Sequence, residues 1–174
     1  MTVIDLSSER RDLERFLGDE FISCTEQELK AFFIQHIKRA FKENGIMEHY
    51  EERIYLSNLL FSFSKISQDT KEAQYVIDTI VQTSNFTDNP QIQKRNADAL
   101  LFFSGIFPEN LIKSGVSLDF YVKQAGAMYV SYGISLNQNS LRALFLNLGQ
   151  NAPKFYECLK TAGKGFKTCK NDMN

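Results

Sequence analysis

The chain has two histidines, His36 and His49, and neither stands where metal or proton-transfer chemistry would need it. A helical di-iron site takes Glu-x-x-His from two helices. Here the positions one turn before the histidines hold Phe33 and Ile46. His36 lies beside Phe32, Phe33 and Ile37, which is the setting of a hydrogen-bonded histidine at the edge of a core. His49 falls among Glu48, Glu51 and Glu52, a group read as the solvated acidic start of a helix, which the helix dipole favours, rather than as a cation site. No metal and no cofactor is expected.

Nucleophilic chemistry has no better footing. Cys24, Cys158 and Cys169 are odd in number and lack Cys-x-x-Cys spacing, so neither a disulfide framework nor a zinc site is indicated. Acidic neighbours around Cys24 would make its thiol sluggish. No Gly-x-Ser-x-Gly elbow, Walker loop or dinucleotide fingerprint occurs. Lys160, Lys164, Lys167 and Lys170, with Phe166, form a basic terminus that reads as solvated. The remaining constellation is Asp98, Ser104, Phe107, Tyr121 and Tyr129, the candidate contacts for a ligand or partner. Asp98 can pair with Lys94 or Arg95, worth about 0.2–0.5 kcal/mol if exposed. Because Leu101 and Phe102 share its face, the carboxylate can instead sit at the core's edge and accept a tyrosine hydroxyl, since a buried acid without a partner is costly. A structural contact is the favoured reading.

These residues need helices to hold them. Ala99-Leu100-Leu101-Phe102-Phe103 is apolar without a break, so a helix through it has no face left for water and must be covered all round. Asn89-Pro90 starts that helix, Gly105 is read as its left-handed end, and Pro108 opens a short helix with Ile106 stapled onto Leu111. Upstream, Ser7 and Ser8 cap a helix over 5–17 that stops at Gly18. Thr25 and Glu28 form a capping box, with Cys24 and Leu29 as its staple, for a helix ended by Asn44-Gly45. Residues 46–66 run back antiparallel, and 71–84 continues the helical period. Downstream, Gly115 ends the short helix and Ser117 caps a helix running to Gly133, whose Ala125-Gly126-Ala127 admits a close backbone. Further helices are expected over 138–149 and from Pro153 to Gly163.

No segment alternates like a strand for long enough to make a sheet, and no repeat near about 34 or 40 residues recurs. The expected fold is all-α: one compact bundle of about seven helices around a buried central helix near 91–104, a single domain over 1–163, and a flexible basic tail over 164–174. The length of 174 residues and 43% hydrophobic content suit one domain. A net charge of -1 offers no field for nucleic acid or an anionic membrane, although the first sixty residues are acidic and the rest basic. No leader and no run near the roughly 20 apolar residues of a membrane span is read, so a cytoplasmic protein with reduced thiols is expected.

The pattern Asp98-x-x-Leu101-Phe102-x-Ser104-Gly105-x-Phe107, preceded by Tyr55-Leu56-Ser57-Asn58-Leu59-Leu60 and followed by Phe120-Tyr121 and Gly126-Ala127-Met128-Tyr129, resembles a group of bacterial helical proteins of unknown function over about residues 50–135. The group usually has glycine just before the acid and tyrosine at the position of Phe120. The resemblance implies a bacterial, cytoplasmic, helical protein and no activity. The functional expectation is a non-enzymatic module that binds a protein partner or itself, because the chain spends apolar, aromatic and capping residues rather than reactive ones. The competing expectation is a small-molecule binder or enzyme with an aromatic-lined pocket near Asp98.

Overall fold

The computed structural model describes residues 25–63, 87–112 and 115–168. Among these the chain is all-α, with six helices of twelve residues or more and one of five. The helices expected over 5–17 and 71–84, the staple residue Cys24 and residues 169–174 lie outside the described residues.

Helix α1, Glu26–Glu43, starts where local chemistry demands it. The Glu28 amide donates to Thr25 Oγ1 at 3.2 Å and Glu28 Oε2 accepts from the Thr25 amide at 2.6 Å, closing the reciprocal box that satisfies two otherwise orphaned donors. The Thr25 amide first, and then the Thr25 side chain, hold the Glu28 carboxyl below its ordinary range by hydrogen bonding to it. Gly45 ends the turn after α1 at φ 67, a backbone glycine adopts without the Cβ penalty. Helix α2 follows as Tyr50–Phe63, starting later than residue 46 because Ile46 to His49 form the connecting turns.

The central helix α3 is Pro90–Ile106. Asn89 caps it by accepting from the amides of Gln91 and Ile92 at 3.0 and 3.4 Å, and Pro90 takes the first turn, where its missing N–H costs nothing. From Asn96 to Ile106 every residue is buried. Helices α4 (Pro108–Ile112), α5 (Leu118–Ser135), α6 (Asn139–Gln150) and α7 (Ala152–Thr168) complete the described chain. Helix α5 packs on α3 on one side and on α6 on the other, while α7 lies across α3 and α1.

Three expected glycine stops are corrected. Gly105 lies inside α3, and among the described residues only Gly45 and Gly115 have positive φ. A Cβ on Gly105 would stand 2.5 Å from Leu159 Cβ; the glycine admits α7, and the helix ends one residue later with Phe107 as its cap. Gly133 likewise sits within α5, where a Cβ would come 3.2 Å from the Leu146 amide nitrogen. Helix α7 also runs through Gly163 to Thr168 instead of ending at the glycine, so the basic segment begins as ordered helix. Its continuation is anchored by Phe166, whose ring lies 5.5 Å from Phe32 and 5.7 Å from Phe33. The small segment around Gly126 does meet a backbone: a Cβ there would lie 2.8 Å from Gly149 O.

Candidate functional site

Helix α3 presents Asp98 to α2 and α5, and two tyrosines converge on it. Its Oδ1 accepts from Tyr55 Oη at 2.5 Å and from Tyr129 Oη at 2.6 Å. Its Oδ2 accepts from Lys94 Nζ at 2.6 Å, one helical turn earlier. Asp98 is only 7% exposed, so these three donors replace the water it loses. Both expected partnerships, with lysine and with a tyrosine hydroxyl, are therefore made at once. The surrounding walls are aromatic: Phe145 of α6 stands edge-on to Tyr55 at 5.3 Å and to Tyr132 at 4.6 Å.

Burial pushes both tyrosine hydroxyls up, with the Asp98 charge adding to it, so both stay protonated well above the ordinary tyrosine range. The linkage sign follows. In the unfolded chain these hydroxyls ionise from about pH 10 while the folded chain keeps them protonated, so stability is full below that pH and falls above it, by about 1.4 kcal/mol per pH unit for each tyrosine. In a spectrophotometric titration, Tyr55 and Tyr129 are expected to ionise only as the protein unfolds, and Tyr129→Phe should lose one such late ionisation. Seven ordinary, reversible ionisations would refute this.

Among the five residues singled out in sequence, Asp98 and Tyr129 come together. The other three do different work. Phe107 caps α3 and packs its ring 5.8 Å from Phe102. Tyr121 is buried, with the Phe120 ring 5.7 Å away. Ser104 is buried, and its Oγ has no hydrogen-bond partner among the described residues. The residues that sequence reasoning missed at this site are Tyr55 and Phe145. Both look like ordinary helix-face aromatics, and only the meeting of α2 and α6 beside α3 reveals them.

A second buried polar group ties the start of α2 to α6. Asn147 Nδ2 donates to Glu52 Oε1 and reaches His49 Nδ1 at 3.0 Å, while Asn151 Nδ2 donates to Asn147 Oδ1 at 2.6 Å. The expectation that Glu48, Glu51 and Glu52 are all solvated is therefore corrected: Glu48 and Glu51 are exposed, but Glu52 is buried. Its position one turn after His49 turns it inward onto Asn147. His36 behaves as a boundary residue, its Nδ1 2.9 Å from Phe32 O and its ring 4.0 Å from the Phe32 ring. Cys158 is buried and its thiol is pushed up to about 12, by burial first and then by Glu157, which leaves little thiolate at neutral pH.

A surface cleft of about 240 Å³ lies between α1 and α7, lined by residues including His36, Arg39, Glu43, Thr161 and Lys164, and Asp98 is not among its lining. No helix among the described residues is long and apolar enough to cross a membrane. Fold and site together define an all-α bundle with a buried carboxylate held by two tyrosines and a lysine. Comparison with protein-family models, with curated proteins and with solved structures finds no match in any of the three.

Proposed function

We propose that this chain is a binding module that engages a protein partner or a second copy of itself, and that it works in a bacterial cytosol. The observation that carries this reading is a surface at the start of α2. Tyr50 is 58% exposed, Ile54 one turn later 43%, and Met47 in the preceding turn 39%. Arg53 organises them: its guanidinium lies 5.0 Å from the centre of the Tyr50 ring and its Nη1 is 3.8 Å from Met47 Sδ. Tyrosine, methionine and arginine are the types enriched where proteins meet, and a tyrosine already stacked by arginine loses little freedom on docking. The cytosolic setting draws on the free, buried Cys158 and on the resemblance of the Asp98 segment to bacterial helical proteins.

The test places a photo-crosslinking amino acid at position 50 in the source cell. A discrete crosslinked product, either a dimer or one heterologous species, is expected, and Ile54→Asp should abolish it. The control position is Lys123, exposed on α5. No product, or the same product from both positions, would overturn the reading.

A further inference from the structure

Lys94 completes the Asp98 site in a way that a plain ion pair does not require. Its Nζ lies 5.4 Å from the centre of the Tyr55 ring and 6.0 Å from that of Phe145 while bonding Asp98 Oδ2 at 2.6 Å. An ammonium beside aromatic faces with a carboxylate behind it is the chemistry by which aromatic boxes hold cations. The box does not depend on the lysine for its shape. Asp98 Oδ1 is held by Tyr55 and Tyr129, and Tyr132 props Phe145 from behind at 4.6 Å.

We infer that Asp98, Tyr55, Tyr129, Tyr132 and Phe145 form a binding site for an alkylammonium group, and that Lys94 is its built-in plug, displaced when such a ligand enters. The direction of entry is set by exposure. The Lys94 side chain is 30% exposed and that of Asp98 9%, so the lysine stands on the solvent side of the carboxylate. Displacement conserves charge in the box, because one ammonium leaves as another arrives. The desolvation that makes buried ions costly is therefore not incurred twice. Lys94 gains hydration and rotamer freedom when it swings out on its flexible stem. Being tethered one turn away, it competes at a high effective concentration, which holds the affinity of the intact chain down. The ligand class is a primary alkylammonium, supplied either by a lysine side chain of another protein or by a free polyamine. This site is independent of the Tyr50 surface.

Two substitutions separate a plug from a structural ion pair. Lys94→Ala and Lys94→Met both remove the charge, but alanine empties the box while methionine keeps it filled with an apolar chain of similar length. Calorimetric titration would use spermidine, a capped Gly-Lys-Gly peptide, and the same peptide with norleucine in place of lysine. K94A is expected to bind the amine probes at least about tenfold more tightly than the intact protein, K94M not to bind, and the norleucine peptide to bind neither variant. Tighter binding of the peptide would name a protein lysine as the source, and tighter binding of spermidine a polyamine. Equal behaviour of K94A and K94M would overturn the inference. So would an intact chain that binds neither amine at concentrations up to about 10 mM, enough to compete with a tethered lysine. The titration of the intact chain tests the site even if K94A folds poorly, because displacement is a property of the unmodified protein.

Discussion

Gly105→Val is expected to lower the stability of the protein by about 3 kcal/mol, the upper part of the range for forcing extra carbon into a close-packed core. The new Cβ would stand 2.5 Å from Leu159 Cβ. That contact is the root of a side chain on the neighbouring helix, so no rotamer change relieves it and α7 must move off α3. The gain from replacing glycine by valine in a helix, a few tenths of a kcal/mol because valine is itself a poorer helix former than alanine, is too small to offset the clash. Asparagine distinguishes the two possible roles of this glycine. If Gly105 served as a left-handed helix end, Asn would be tolerated there. Since it serves as a contact point, Gly105→Asn should cost about as much as the valine change, whereas Gly115→Asn, at φ 77 with open space around it, should cost about 1 kcal/mol, the strain of a left-handed backbone that Asn adopts more readily than other side chains. Chemical denaturation of the three variants checks this, and a Gly105→Asn protein as stable as the parent would refute the packing role.

Asp98→Asn is expected to cost about 3 kcal/mol, far more than a surface carboxylate would. The substitution retains volume but replaces an acceptor of two charged oxygens by one carbonyl and one NH2 group. Three donors compete for what is left: Tyr55, Tyr129 and the Lys94 ammonium. Both tyrosines already share Oδ1, so the amide that keeps its carbonyl there turns its NH2 group onto the Lys94 ammonium, which loses its counter-ion and meets another donor instead. Tyr129→Phe should cost about 1.5 kcal/mol alone and less in the Asp98→Asn background, because the hydroxyl then donates to a neutral carbonyl instead of a carboxylate, the weaker of the two acceptors. A strictly additive double variant, or a loss below about 1 kcal/mol for Asp98→Asn, would mean that the network is not cooperative.

Much of the fold is legible along the chain because its determinants are local. The Thr25–Glu28 box, Asn89-Pro90, Ser117 ahead of α5 and the Asn44-Gly45 turn each satisfy backbone groups within a few residues, and each stands where it was expected. The apolar run from Ala99 to Phe103 likewise required cover on every side, and the buried stretch from Asn96 to Ile106 extends it in both directions. The site was half legible. Asp98 declared itself as an acid on an apolar face, and Tyr129 as one of several tyrosines. Tyr55 and Phe145 could not, since their nearness to Asp98 depends on how α2 and α6 settle against α3. Glu52 is the same case, an acid that charge alone places in water and that Asn147 of another helix draws inside.

Among the described residues, sequence alone settled which segments coil, that Thr25, Asn89 and Ser117 cap their helices and that one helix must lie at the centre, because capping and periodicity act over one or two turns. Tertiary structure alone decided what the glycines are for and which side chains meet. A missing Cβ looks the same along the chain whether it frees the backbone to turn or lets a neighbour approach. At Gly105 and Gly133 the answer belongs to Leu159 and Leu146, residues on other helices that come close only once the bundle has closed.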